Sequence, residues 1–340
     1  MRVLIPRTGG VRLAGLGAVA GSVVRDNAAL CAAGYPEPPA FIERATGIRA
    51  RRQLGPGESV GGLAARACRR ALGGTAPDTV DSLVLATSAP ERLLPPAATR
   101  LHRALGLRGA PAHTINAACS GFVFGLDLAA RGLLTGDACA LVCAAEARSA
   151  QVSVTDRATG ALFGDAAGAA LLRSGPAGAG LLAVGTVTEP PEEAAIVLGR
   201  GASDRLEMRD GPQVYFAAVE GMAALSAALL EASGLAWADI DLVVPHQANG
   251  RILRRFCWMV GLDEARSFSN LERYGNTSAA SIPLATQEAI LSGRVGAGAV
   301  VMWLAVGAGG AGGAALVQLD GALVEAVRET GPLPGSAGLP

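Results

Sequence analysis

Leu126-Asp127-Leu128-Ala129-Ala130-Arg131-Gly132-Leu133-Leu134-Thr135-Gly136 closes a helical pattern and leads directly into the apolar run 138–145. The same order returns later, where 282–293 precedes the apolar run 297–306. Earlier in each half, the helical stretch 61–72 leads to the strand-like 81–85, and 214–230 leads to 241–244. Each half then ends on a Gly-rich turn and a strand: Gly164-Asp165-Ala166-Ala167-Gly168-Ala169-Ala170-Leu171-Leu172, and Gly312-Gly313-Ala314-Ala315-Leu316-Val317. The offset of roughly 160 residues is far longer than a solenoid repeat. Continuous apolar strands alternating with helices imply sheets buried on both faces, so the expected fold is α/β with an internal duplication. The division falls near 174–180, giving halves 1–175 and 176–340, and the Pro/Gly-rich tail 331–340 is expected to fray.

Composition removes several chemistries. All 29 basic residues are arginine, which excludes Schiff-base, pyridoxal-lysine and P-loop lysine reactions. Three histidines, His102, His113 and His246, leave little room for a multi-histidine metal site, and no metal or cofactor is expected. A formal charge of zero gives no reason to expect nucleic acid or an anionic membrane as partner. Six irregularly spaced cysteines in a long chain do not form a disulfide framework and fit a reducing cytoplasm. Arg2, Arg7 and Arg12 before an apolar run resemble a signal peptide, but 11–17 reads better as a strand entering a Gly turn. The uncharged stretch 295–319 is long enough to span a bilayer, yet its seven glycines point to two buried strands around a Gly loop.

Three segments carry chemistry. In His113-Thr114-Ile115-Asn116-Ala117-Ala118-Cys119-Ser120-Gly121 a strand and turn deliver a thiol to a helix entry, where free N–H groups and the helix dipole favour a thiolate. Read alone, a Cys among Ala, Ser and Gly is more often a small core residue. Val243-Val244-Pro245-His246-Gln247-Ala248-Asn249 brings a histidine to a strand's carboxyl end, where open α/β sheets place their sites. Tyr274-Gly275-Asn276-Thr277-Ser278-Ala279-Ala280-Ser281 sets an Asn in a small-residue turn before a helix; alone it reads as an N-cap.

Together these segments resemble the β-ketoacyl-acyl-carrier-protein synthase III family of the thiolase superfamily. Further likeness runs through Thr46-Gly47-Ile48-Arg49, Phe163-Gly164-Asp165, Met208-Arg209-Asp210-Gly211 and the terminal Gly loop. The resemblance implies the duplicated five-layered αβαβα thiolase fold and a homodimer. It implies that Cys119 receives an acyl group as a thioester, and that the N–H of Cys119 with one from Ala308 or Gly309 forms the oxyanion hole. His246 and Asn276 would then stabilise the enolate left by decarboxylation of a malonyl thioester on acyl carrier protein. The absent lysine separates the chain from elongating ketosynthases, which use a Cys with two histidines and carry a lysine. Plant-type polyketide synthases share the Cys-His-Asn set but are longer and end in a different loop.

The resemblance departs at the entrance. Where the family shows a Trp and an Arg that sandwich the adenine of CoA, this chain has Phe41 and Ala45. The cation is then lost unless Arg44 or Arg49 supplies it, which points toward an acyl-carrier-protein donor over acyl-CoA. Arg251, in the cluster with Arg254 and Arg255, is placed to meet the phosphate of a pantetheine arm. Leu93 and Leu94 resemble the segment that reaches across the dimer to floor the partner's acyl pocket. Three other readings are set aside. The glycines 307–312 match a dinucleotide fingerprint but lead into a strand instead of a helix. Cys139 and Cys143 lie in an apolar strand and read as packing. A non-catalytic partner subunit would have no use for an intact Cys119, His246 and Asn276. The closest rival keeps all three residues but passes the acyl group to an alcohol or amine without decarboxylation.

Overall fold

The computed structural model describes residues 1–6, 10–176, 180–198 and 205–332. Arg7, the centre of the expected division at 177–179 and the tail from 333 lie outside the described residues.

Two five-stranded sheets organise the chain. The first contains β2 (Gly10–Ala20), β5 (Ser82–Ala86), β6 (Ala112–Ile115), β7 (Cys139–Ala147) and β8 (Asp165–Gly175), in the spatial order β2-β8-β7-β5-β6. The second contains β1 (Arg2–Leu4), β9 (Gly180–Thr188), β12 (Leu242–Pro245), β13 (Val300–Gly307) and β14 (Ala311–Gln318), in the order β1-β9-β14-β13-β12. Two short ribbons, β3 (Val23–Asp26) with β4 (Ala50–Gln53) and β10 (Ile196–Leu198) with β11 (Leu206–Met208), lie beside them. The strand directions repeat between the sheets. β5 runs parallel to β7, and β7, β8 and β2 follow antiparallel; β12, β13, β14 and β9 do the same. The stretch that reads like a bilayer span is β13, the Gly loop and β14.

Helices make the other three layers. Gly121–Thr135 and Ser281–Leu291 lie between the sheets, in one core with Val142 of β7, Val244 of β12 and Trp303 of β13. A helix covered on both sides can have no broad polar face, and ten consecutive residues from Ser281 to Ile290 are buried. Its polar members are mostly bonded within the protein: Gln287 accepts from the Ala18 N–H, although its own NH₂ is buried without an acceptor among the described residues, and Glu288 accepts from Asn270 (2.8 Å) and Arg273 (2.5 Å). Val60–Leu72 and Ala97–Leu105 cover the outside of the first sheet. Gly211–Ser233 and Gly250–Val260 cover the outside of the second. The result is the expected αβαβα stack. The helical stretches Ala118–Thr135 and Gly211–Ser233 are apolar and long enough to cross a bilayer, but in this fold they pack against sheets.

The structure departs from the sequence reading at the N-terminus. Gly15 and Gly17 form no turn; they lie inside the eleven-residue strand β2. A Cβ on Gly15 would sit 1.9 Å from the Ala71 carbonyl oxygen, and one on Gly17 would sit 2.5 Å from that of Ala67. These glycines let helix Val60–Leu72 settle on the strand, a tertiary demand that local turn statistics read as a loop. The three-residue β1 also joins the second sheet, antiparallel to β9, with too short a pattern to be seen in sequence.

Gly15→Ala should therefore lower unfolding free energy by about 1–3 kcal/mol in urea denaturation, the range for overpacking a closed contact. Gly74→Ala, where an added Cβ meets nothing within 4 Å, should leave stability within about 0.5 kcal/mol.

Candidate active site

The strand ends of both sheets open into one cavity of about 1370 Å³, lined by Cys119, His246, Asn276, Ser278 and the Gly loop 307–310. That volume exceeds a typical small-ligand pocket and has room for an extended chain. Cys119 follows β6 in a short turn, at the entrance to helix Gly121–Thr135. Ala118 just before it has φ 47°, and Ser278 on the facing turn has φ 52°. They are the only non-glycine residues with positive φ among the described residues, and both flank the thiol. Left-handed backbone at alanine and serine is disfavoured, and such outliers concentrate at functional sites. Ser278 Oγ lies 3.7 Å from Cys119 Sγ and donates to it.

The expectation of a lowered thiol pKa at Cys119 is not met. Burial pushes it up, outweighing the Ser278 hydrogen bond and the positive charge of Arg148, both of which pull it down. The resting group is a thiol, so attack requires a base.

His246 follows β12, and its turn is held by Gln247, whose side-chain NH₂ donates to Pro245 O (2.7 Å) and Phe268 O (3.2 Å) while its oxygen accepts from Ser269 (2.8 Å) and Asn270 (3.2 Å). The His246 ring is 4% exposed, and burial pulls its pKa down to about 4, so it is neutral at pH 7. Its Nδ1 is 2.7 Å from Ser281 Oγ, and the same hydroxyl donates to Ser278 O at 2.7 Å. A hydroxyl has one proton. With that proton on Ser278 O, Nδ1 carries its own hydrogen and Nε2 presents a lone pair. Asn276 is oriented in the same way. Its Oδ1 accepts from the Ser278 N–H (2.9 Å), which leaves its NH₂ as the donor end. Its backbone is bonded to Leu162 O (2.9 Å) and to the Gly164 N–H (3.0 Å), so the Phe163-Gly164 segment anchors it.

The remaining expected residues are divided. Phe41, Arg251, Ala308 and Gly309 line the cavity. Leu93 and Leu94 do not; they are 55% and 78% exposed on the surface of the single chain. Two cations stand beside Phe41, one of them the Arg44 that the sequence offered as a substitute. Arg157, itself paired with Glu37 at 2.6 Å, lies 5.2 Å and Arg44 5.7 Å from the ring centroid, while Arg49 pairs with Glu43 at 2.8 Å and has no such ring contact among the described residues. Of the two substitute cations that the sequence allowed, Arg44 is at the ring and Arg49 is not. Arg157 sits in a loop with no local motif. Arg148 and Ser278 were likewise missed, since only the folded chain brings them beside Cys119. Arg255 stacks on Trp258 at 4.0 Å.

Comparison with known proteins follows the same lines. A family model described as 3-oxoacyl-[acyl-carrier-protein] synthase III matches residues 114–190, and that of its C-terminal part matches 230–319. A β-ketoacyl-[acyl-carrier-protein] synthase III from Rhodospirillum centenum is 40% identical over 290 residues, covering 82% of this chain and 89% of the relative. The crystal structure of 3-oxoacyl-[acyl-carrier-protein] synthase III from Aquifex aeolicus superposes with a TM-score of 0.87 at 32% identity, covering 91% of this chain and 100% of that one. A priming β-ketosynthase from a polyketide biosynthetic pathway superposes at 0.85 with 30% identity, covering 94% and 98%.

Two pH dependences follow. Alkylation of Cys119 by iodoacetamide, followed by intact-protein mass, should be slower at pH 8 than for free cysteine and still rising above pH 9. The folded His246 titrates below the ordinary value of about 6.5, so between there and about 4 the unfolded chain binds the extra proton. Its contribution is therefore absent at pH 7 and destabilises as pH falls, by about 3 kcal/mol at pH 4. In urea denaturation His246→Gln should lose less stability than the parent between pH 7 and pH 4.

Proposed function

The chain belongs to the β-ketoacyl-acyl-carrier-protein synthase III family of condensing acyltransferases, and from that premise we propose that Cys119, His246 and Asn276 carry its two-step reaction. The supporting observation is that a raised-pKa thiol, a neutral imidazole and an outward-facing amide NH₂ line one cavity. His246 Nε2 takes the Cys119 proton as Sγ attacks the acyl thioester carbonyl. The tetrahedral oxyanion is held by the N–H of Cys119 and one from Ala308 or Gly309, each worth about 3 kcal/mol in such sites. The new Sγ–C bond remains, the old C–S bond breaks, and the carrier thiolate leaves with the proton from His246.

In the second step a malonyl thioester loses CO₂. Its enolate oxygen accepts from Asn276 and from His246 Nε2–H, its carbon attacks the acyl-Cys119 carbonyl, and collapse of the tetrahedral oxyanion breaks the Sγ–C bond, releasing a β-ketoacyl product and a Cys119 thiolate that takes its proton back from His246 or solvent. Donation from a neutral Nε2 requires the proton to leave Nδ1. Ser281 Oγ is 2.7 Å from both Nδ1 and Ser278 O, so rotation of one hydroxyl accommodates both tautomers without moving a heavy atom. The tautomer with a free Nε2 also suits transfer to an alcohol or amine, a reading distinguished by the absence of CO₂.

Phe41, with Arg157 and Arg44, is suited to stacking on the adenine of acyl-CoA, and Arg251 to a pantetheine phosphate, so both acyl-CoA and acyl carrier protein serve as partners. No cofactor enters these steps. Six free thiols support a cytoplasmic setting. A homodimer is supported by edge strand β6, which among the described residues pairs with β5 alone, and by exposed Leu93, Leu94 and Leu128.

Asn276→Ala should load Cys119 at near the parent rate while CO₂ release from the malonyl thioester falls by about 10²–10³-fold. Cys119→Ala should take up no acyl mass from any donor. Unchanged CO₂ release in Asn276→Ala, or an acyl adduct on Cys119→Ala, would remove the corresponding assignment.

A further inference from the structure

The wall of the cavity beside Cys119 is charged. Arg148 lines the cavity with Ser88, and its side chain is only 7% exposed. Behind it Glu146 is fully buried at the end of β7. The contacts run as a chain from the thiol: Cys119 Sγ to Ser278 Oγ at 3.7 Å, Ser278 near the Glu146 carboxyl, whose Oε2 has no hydrogen-bond partner among the described residues, Glu146 Oε1 to Ser88 Oγ at 2.8 Å, and Ser88 Oγ to the Arg148 guanidinium. Arg148 also donates to Gln151 at 2.6 Å, and its Nε is 3.8 Å from Glu146, beyond a hydrogen bond.

A guanidinium has five N–H donors in a fixed fork, and among the described residues Arg148 uses two of them. The rest have no protein acceptor, on a side chain that fronts the cavity and is close enough to Cys119 for its charge to act on the thiol. Burying an ion pair is weak evidence for stability, because hydrophobic residues of similar volume usually serve as well. A hydrocarbon acyl chain would gain nothing from this wall and would strip water from unpaired N–H groups. An acyl chain carrying an oxygen would satisfy them.

Resting on the acyl-Cys119 reading above, we propose that Arg148, with Ser88, selects the acyl group, admitting a short chain that bears a hydrogen-bond-accepting oxygen in preference to plain hydrocarbon. Glu146 bears on which oxygen is taken. While ionised it balances Arg148, and a hydroxyl or carbonyl oxygen leaves the wall neutral. Burial pushes the Glu146 carboxyl up, and once protonated it leaves Arg148 free to pair with a carboxylate-terminated chain. Arg148 is a specificity residue in this account and takes no part in bond making.

The test is competitive loading. The purified chain is offered equimolar pairs of four-carbon CoA thioesters, butyryl against 3-hydroxybutyryl and butyryl against succinyl, with no malonyl donor, and the two Cys119 adducts are counted by intact-protein mass. At least one oxygenated adduct should exceed butyryl by about tenfold or more, the value of one good hydrogen bond to a charged donor. Which one it is separates the neutral from the anionic group. Arg148→Met should bring the ratio to within about twofold of unity, and Arg148→Lys should restore part of it. A ratio taken within one tube does not depend on the folded fraction. If Arg148→Met loads nothing, the parent ratio and Arg148→Lys decide. Butyryl loading as well as or better than both oxygenated groups would overturn the selection by Arg148 and leave the acyl-Cys119 reading intact. Absence of any Cys119 adduct from all three donors would overturn both.

Discussion

The site depends on one backbone contact between the two sheets. Gly307, at the end of β13, lies so close to the nucleophile turn that a Cβ there would be 2.9 Å from both the Cys119 nitrogen and the Ala117 carbonyl oxygen. One residue on, Ser120 Oγ donates to Ala311 O at 2.7 Å, tying the helix entry to the start of β14. The unfavourable φ of Ala118 is held in this clamp, and that of Ser278 by the turn packed against it. Strain of that kind persists only where surrounding structure overdetermines it. The central helices, the strand ends and the glycine loop therefore constrain one another, and the cavity exists because the two sheets meet there with no side chain between their turns.

That closeness sets the electrostatics. Burial raises the Cys119 thiol and lowers His246, so each group is driven toward its neutral form. A thiolate–imidazolium pair is the alternative resting state, and desolvation opposes both of its members at once. A neutral pair suits two-step chemistry. The imidazole has a lone pair when a proton must be taken from the thiol, and it does not bring a full positive charge that would hold a malonyl carboxylate against decarboxylation. Ser281 decides which nitrogen carries the proton, by the direction of one hydroxyl.

How much of this the sequence discloses depends on the range of the forces involved. Local punctuation marks the positions of Cys119, His246 and Asn276, a small-residue turn before a helix, a proline-ended strand and a glycine before an Asn turn, but read alone Cys119 is a core residue and Asn276 an N-cap; the resemblance of the three segments together is what singles them out. The alternation of apolar strands and helices was legible because burial on both faces leaves a continuous pattern. The direction of the Cys119 shift was not, because local helix geometry argues one way and burial by the opposite sheet argues the other. Gly15 and Gly17 read as a turn because the helix that needs them flat is far along the chain. Arg157 beside Phe41 and Arg148 beside Cys119 carry no motif; each arrives from a neighbouring strand or loop by packing alone.

The all-arginine composition acquires a physical sense in the folded chain. Burial lowers Arg51, 1% exposed, to about 10, which still leaves it charged at neutral pH. A lysine starts lower, and comparable burial brings lysines to about 5–6 in the extreme, where the charge is lost. Arginine is the side chain that can stand in a dry wall and remain a cation, with a planar fork that fixes its donors in space. Next to the nucleophile, Gln151 and Ser88 hold the plane of Arg148. Glu146 behind it sets the net charge of that wall, so recognition of the acyl group turns on a carboxyl that the bond-making steps do not use.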